Sequence, residues 1–522
     1  MELHLILSLA FLAILLYLIS GAIYRLYLCP ISSFPGPRLA ALTFWYEFYY
    51  DVIRRGRYTW EIEKMHRKYG PIIRINPCEL HTNDPEIYDQ IYVGPTRRTE
   101  KWEWSARMFG TTLATVSTTS HELHRLRRSA LNPLFSKQSV MRIEPVIQED
   151  IDRLLRRLRE FKNTRKPVNL VDAFTCLSAD IIGSFAFGRS YGFLETPDFN
   201  PRWHEFMMDL SRNSHLMKQF SWLYTVLTVL PQRLVSLLHP LTRELFALQS
   251  SIASQIRLIQ STTHQSTEKD QADRSPSERN HRTLLGHLST TSLLPPHELT
   301  VRRLMDEGLT LIGAGTVTTA WTLSVTVYYL LSNPTKLSRL RGELATLAKS
   351  LGSPNVISTH KVTWRALEQL PYLTAVVSEG LRLSYGISHR LARISPDAPL
   401  YYRQHKIDPG VPVSMTQMLI HQNEYIFSDP HSFSPERWLS GSPEGLARMK
   451  HFLVPFSRGT RQCVGMNLAY AELFLTLGAL FGAQGVEMEL TGTSRKDIDC
   501  VHDYFNPAPS SDTKGVRVLV RS

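Results

Sequence analysis

Hydrophobic residues are arranged along this chain in three ways, and each predicts a different kind of element. The first is an uncharged run, "LILSLAFLAILLYLISGAI", from Leu5 to Ile23. As a helix it is roughly 28 Å long, close to the hydrocarbon thickness of a bilayer, which predicts a transmembrane anchor. A cleaved signal peptide fits less well, because Glu2 stands where positive charge is needed and the run exceeds a usual signal core. Arg25, Arg38, Arg54, Arg55 and Arg57 follow the run, so the positive-inside rule leaves the remainder on the cytosolic side. "CPISSFPGPRLA" comes next, and Pro30, Pro35 and Pro37 cannot continue a helix. The expected division is an anchor over 1–28, a stiff hinge over 29–40 and one large domain over 41–522.

The second arrangement is helical periodicity. It dominates residues 145–260, for example "IQEDIDRLLRRLREF", where Ile151, Leu154, Leu155 and Leu158 share a face. "HELHRLRRSALNPLFS" (121–136) reads as a basic helix stopping near Pro133, and residues 304–333 as a long apolar helix. Interior glycines and threonines favour a buried core helix there over a second membrane span. The third arrangement is short β-branched pieces: a strand and turn in "YGPIIRINPCELHTND" (69–84), and strand-like "VPVSMTQML". The polar stretch 261–282 predicts an exposed loop. The class is mostly α with a minor β part.

Composition adds constraints. With 522 residues, 43% hydrophobic and 20% charged, the chain can bury a large core, and it shows no repeat or linker that would split it. Five scattered cysteines without a C-x-x-C pair argue against a disulfide framework and a closed zinc site. The formal charge of +12 suits anionic lipid, an acidic partner protein or a merely solvated surface; no nucleic-acid motif accompanies it.

One loop carries candidate chemistry. In "FSRGTRQCVG" (456–465), Cys463 lies between Gly459 and Gly465, beside Arg458 and Arg461, just before a helix marked by Leu468, Ala471 and Leu475. Free N–H groups at a helix start and nearby cations favour a thiolate, and the glycines leave room for a flat ligand. The residues alone allow three roles: an axial ligand to heme iron, a nucleophile with a distant histidine, or a buried structural cysteine.

The spacing F-x-x-G-x-R-x-C-x-G, met by Phe456, Gly459, Arg461, Cys463 and Gly465, resembles the heme-binding loop of the cytochrome P450 family. In the same order, "EGLR" (Glu379, Arg382) resembles that family's E-x-x-R helix, and "FSPERW", with Arg437 and Trp438, its P-E-R-F/W segment. "AGTVTT" (Ala314 to Thr319) resembles its oxygen-activating stretch. The resemblance covers essentially the whole chain and implies the cytochrome P450 fold, with heme b bound through a cysteine thiolate. It places Cys463 on the iron and Arg461, Arg393 and Arg128 at the heme propionates, with His124 where many relatives carry Trp. Glu379, Arg382 and Arg437 become a structural clamp. Gly315 becomes part of an oxygen groove and Thr318 a hydroxyl that hands on protons. Val317 departs from the pattern, since many relatives carry Asp or Glu there.

The implied activity is a monooxygenase that inserts one atom of O2 into a lipophilic small molecule. The strings "RINPCELHTNDPEIYDQIY", "HRLRRSALNPLFS" and "PERWL" look most like filamentous-fungal members, which implies a secondary metabolite such as a terpenoid, polyketide or alkaloid. No dinucleotide or flavin fingerprint is present, so electrons would come from NADPH-cytochrome P450 reductase, with cytochrome b5 as a second donor, at the endoplasmic reticulum membrane. "HRLRR" and Arg458 are expected to dock that reductase, and 102–119 with 205–225 to wall the substrate pocket. The alternatives are a heme-thiolate isomerase or dehydratase working without O2 or reductase, and a non-catalytic heme sensor.

Overall fold

The computed structural model describes residues 2–230, 240–265, 283–351 and 362–521. Helix α1 (Glu2–Ile23) has no buried residue and continues through one π turn to Leu28. It is long and apolar enough to cross a membrane, with nothing packed around it, and is a candidate anchor. The proline-rich stretch behind it is attached to the body. Cys29, Ile31 and Phe34 are buried, and the Arg74 N–H donates to the Pro35 carbonyl at 2.7 Å.

Helix α2 (His121–Leu131) starts where the Ser120 hydroxyl accepts from the Leu123 N–H, and ends before Pro133. In α3 (Lys137–Glu160) the stripe Ile151, Leu154, Leu155 and Leu158 is buried as its spacing predicts. Helices α4 (Leu170–Phe187) and α5 (Val301–Leu331) are each apolar and long enough to span a bilayer, but both are mostly buried. They pack along one another as the centre of the core, and α6 (Pro371–Ser384) and α7 (Met466–Phe481) close it. The expected loop over 261–282 begins instead as helix, because Pro240–Gln265 is continuous; 266–282 lie outside the described residues.

Strands β1 (Ile72–Arg74), β2 (Leu80–Thr82), β3 (Glu100–Lys101), β4 (Arg393–Ile394) and β5 (Pro412–Ser414) form one sheet in the order β1-β2-β5-β4-β3. The segment 69–84, expected as a strand and a turn, carries a second strand as well, so β1 and β2 pair antiparallel. Of "VPVSMTQML" only the first part is strand, and Gln417–His421 turns into a short helix. The register of β3 on β4 sets Lys101 directly opposite Arg393.

A buried carboxylate ties these parts to the cysteine loop. Glu379 on α6 accepts from Arg382 Nε and Nη2 at 2.9 and 2.8 Å and from Arg437 Nε at 3.1 Å. It also accepts from the Ser434 N–H and from Trp438 Nε1, both at 2.9 Å. Arg382 donates onward to the carbonyls of His421 and Pro430 at 3.0 and 2.6 Å. Burial, with Arg382 beside it, pushes His421 down to about 3, so its imidazole is neutral and Nε2 accepts from the Val454 N–H at 3.0 Å. Gly386 backs the same segment, since a Cβ there would stand 2.3 Å from the Pro455 carbonyl oxygen.

Glu379→Gln leaves the fully buried Arg382 guanidinium without its counter-charge. It should cost about 3–5 kcal/mol, read as a lower denaturation midpoint of the full chain in detergent. A second buried acid gives a pH signature. Glu472 on α7 accepts from Ser178 at 2.9 Å, and burial pushes it up to about 8. The folded state therefore holds a proton that the unfolded chain releases near 4.3, so this contribution is complete below that pH and is lost as pH rises toward 8. Glu472→Gln should match the parent in Tm near pH 4 and exceed it increasingly up to pH 8.

Candidate active site

The loop 456–465 is shaped by its backbone. The Cys463 N–H donates to the Phe456 carbonyl at 3.0 Å, and the Phe456 ring packs on Tyr470 at 5.2 Å. Gly459 has φ +75°, and a Cβ would meet the Val93 carbonyl oxygen at 2.1 Å. Its lack of a side chain therefore serves a fit against residues 92–93, not the room for a flat ligand read from the sequence. Gly465 is different, for its nearest neighbour is Phe135 at 4.0 Å, so space remains there.

Cys463 is exposed to solvent at its surface and yet has protein packed closely around it. Burial pushes its thiol up, against the Gly465 N–H and Arg128, which pull it down. This corrects the expectation that the loop alone favours thiolate. Arg458 is engaged with Asp89 and His451, and Arg461 with backbone carbonyls, so desolvation prevails. A metal cation at the sulfur would reverse that balance.

Beside this loop lies a group of cations. Arg461 donates to the carbonyls of Thr119 and Ser120 at 2.6 and 3.2 Å, while its buried Nε has no hydrogen-bond partner among the described residues. Burial, then Arg393, pushes it down to about 9. Arg393 lies over the Tyr92 ring at 5.4 Å and donates to the Ala392 carbonyl at 3.0 Å. Burial pushes Lys101 well below the ordinary lysine range, with Arg393 and Arg461 adding to it. His124 is pushed down to about 2 by burial and its cationic neighbours, Arg461 first, and is a neutral imidazole. Arg128 donates to Asn132 at 2.6 Å. Among the described residues, none of these four cations has an ion pair with a carboxylate. Uncompensated buried cations call for an anion, and with the sulfur nearby they fit a heme carrying two propionates. Lys101 was not visible as a member from the sequence, where the only signal was one lysine ahead of "WEWSARMFG".

Helix α5 has an open face of its own. Ala314 is exposed and Thr318 half-buried, one turn apart on a face left open. The Thr318 hydroxyl donates to the Ala314 carbonyl at 2.8 Å, and Thr322 donates to the Thr318 carbonyl at 3.1 Å. Gly315 does not share that face. A Cβ there would stand 3.0 Å from Ile182, so this glycine allows the close approach of α4. Val317 is buried in the apolar core.

Two further expectations change. Arg127 is not a docking residue, because it is buried against Glu298 at 2.7 and 2.9 Å; Arg125 is exposed and, with Arg128, Asn132 and Gln462, lines a depression of about 610 Å³. Of the two segments expected to wall the pocket, 102–119 contains Phe109, edge-on to Phe505 at 5.0 Å, and Trp104, stacked on Phe44 at 4.3 Å. In the other, His215 and Lys218 are held in a buried network with Asp51, Glu47 and Asp503.

Comparison with known proteins agrees with this architecture. The family described as Cytochrome P450 matches residues 35–508. The chain is 42% identical over 514 residues to Cytochrome P450 monooxygenase tpcC of Cochliobolus heterostrophus, covering 95% of this chain and 94% of that protein. It is also 42% identical to N-acetyltryptophan 6-hydroxylase ivoC of Emericella nidulans, with 97% and 96% covered. The same identity holds for Tryptophan 6-hydroxylase fscE of Fusarium equiseti, with 96% and 94% covered. Arg382 and Arg437 share the Glu379 carboxylate, the cysteine loop carries Arg461 beside Arg393 and Lys101, and the family match runs across the chain: this protein belongs to the cytochrome P450 family and is a monooxygenase.

Proposed function

We propose that Cys463 ligates the iron of heme b and that the enzyme hydroxylates a lipophilic small molecule at the endoplasmic reticulum membrane, its body facing the cytosol. The observation that carries this reading is an enclosed but reachable sulfur beside buried cations that have no carboxylate partner. Bound heme supplies activation of dioxygen, with electrons delivered from NADPH by a reductase, or by cytochrome b5 as a second donor.

The chain's own residues contribute position and protons. Arg461, Arg393 and Arg128 hold the propionates, and the neutral His124 fills the space beside them without adding charge. Thr318 spends its proton on the Ala314 carbonyl, so its lone pairs face the open side of α5 and accept from water or substrate. Turning that hydroxyl outward costs about 1 kcal/mol, the net worth of one hydrogen bond, which is small enough for a proton relay. Val317, buried in the core, cannot serve as an acid, so water and Thr318 carry the protons. Phe109, Phe505 and Trp104 offer an apolar aromatic wall, which suits a lipophilic or aromatic substrate. The names of two relatives make tryptophan and N-acetyltryptophan the first compounds to try.

Carbon monoxide added to the reduced protein should give the Soret band of a thiolate-ligated ferrous heme, and Cys463→Ser should abolish it together with product. An absent band in the parent overturns the reading. Turnover that persists without NADPH and reductase would favour the isomerase alternative. Thr318→Val should keep the band yet lower product formed per NADPH by roughly tenfold or more. Arg125→Glu should raise the apparent KM for reductase at low salt, with the difference fading as salt screens it. Arg127→Glu should instead lower Tm, since it faces Glu298 inside the protein.

A further inference from the structure

A second buried polar network uses none of the residues assigned to heme, and its charges do not balance. Lys218 pairs with Glu47 and Asp51 at 2.6 and 3.0 Å, and Arg390 pairs with Glu47 and Glu79 at 2.7 and 3.0 Å. Asp503 joins them through His215, and its carboxylate meets His389 at 2.9 Å. Among the described residues Asp503 has no Lys or Arg ion pair. None of these residues is more than 4% exposed. Four carboxylates therefore face two permanent cations, which leaves two negative charges unmatched in the interior. Such an excess is costly unless protons or a bound cation offset it. Protons on both imidazoles would serve, but burial pushes His389 down to about 4, so that ring is neutral at ordinary pH.

The hydrogen bonds show where positive charge is missing. His215 Nε2 lies 2.6 Å from the Asp503 main-chain oxygen, which can only accept, so Nε2 carries the proton. The lone pair of the neutral ring is then on Nδ1, which is buried without a hydrogen-bond partner and stands 3.3 Å from Asp51 Oδ2. Asp51 Oδ1 is buried without a partner too. An imidazole that spends its one N–H on a carbonyl and keeps the other nitrogen bare is arranged as metal-bound histidines are. The Asp503 carboxylate is braced in the same manner. One oxygen accepts from Ser388 and the Phe505 N–H at 2.9 and 3.0 Å, and the other from Thr59 at 2.8 Å. His215, His389 and Asp503 each bring a ligand atom within 4.8 Å of the other two. Ligands about 2.0–2.2 Å from a tetrahedral zinc ion stand roughly 3.3 Å apart, so small side-chain shifts close the set.

We infer that His215, His389 and Asp503 hold a divalent transition-metal ion, zinc by their donor set, whose two charges balance the network. This goes beyond the heme reading and does not rest on it. The ion ties the helix Ser214–Gln219 and the segment behind α6 to the hairpin 502–508, whose tip residue Phe505 packs on Phe109.

The test uses the full-length heme-loaded protein, expressed in zinc-supplemented medium and purified on a tag without histidines. Mass spectrometry of the metals should find about one zinc per chain, separate from heme iron. His215→Gln and His389→Gln should each lower that content roughly tenfold or more while keeping the thiolate band. Stripping zinc from the parent with dipicolinate should lower Tm by roughly 3–5 °C, and stoichiometric ZnCl2 should restore it. The variants should respond to neither treatment. The parent measurements decide the matter even where a variant fails to fold. A parent that holds almost no zinc, and whose Tm added ZnCl2 does not move, overturns the inference. Zinc that persists in both variants overturns it as well, because it is then an adventitious ion only.

Discussion

The fold around the active site depends on the carboxylate of Glu379. It takes donors from two guanidinium groups, an indole and a backbone amide, all in a setting that water does not reach. Burying this charge is costly by itself, and it is tolerated because every strong acceptor direction is filled. Saturation has a geometric consequence. Arg382 is held on one side by Glu379 and on the other by carbonyls of the 421–432 segment, so α6 and that segment move as one. His421 passes the constraint to Val454, and a few residues later the chain reaches the Cys463 loop. The sulfur is therefore located by a relay of hydrogen bonds that begins on a helix with no part in the chemistry.

The clamp and the cation group obey opposite rules. Around Glu379 the protein satisfies every charge internally, which makes that region rigid whatever is bound. Around Lys101, Arg393 and Arg461 it leaves charge unsatisfied, a cost that a folded protein accepts at sites built for something else. The Cys463 thiol belongs to the second category, because burial disfavours its ionisation in the protein alone. Protein and ligand thus complete one another electrostatically, with cations lacking anions on one side and a thiol needing a metal cation on the other.

Legibility from sequence followed the range of the interactions. Local patterns read well: the apolar run of α1, the stripe on α3, the strand β1 and the helix behind Cys463 follow from spacing within a dozen residues. Motif residues of the clamp also read well, since their spacing along the chain reflects one carboxylate and its donors. Contacts made at long range did not. Arg127 looked like a surface charge because its partner Glu298 is far along the chain. Lys101 escaped notice because its neighbour Arg393 comes from another strand. Gly459 misled for a related reason. It was read as making room for a ligand, yet the room is taken by the backbone at Val93. A glycine signals close approach, but sequence does not say of what.

Gly315 and Val317 together constrain the chemistry on α5. With Gly315 turned to α4 and Val317 in the core, the open face of this helix at that turn is left to Ala314 and Thr318, one small and apolar, the other a hydroxyl. No carboxylate from this turn can hold or lose a proton as pH changes. The polar side chain on that face is a hydroxyl whose partner is its own helix backbone. This turn of α5 therefore adds no carboxylate to its open face. The cations without a carboxylate ion pair among the described residues stand elsewhere, with Lys101 on β3, Arg393 on β4 and Arg461 in the cysteine loop.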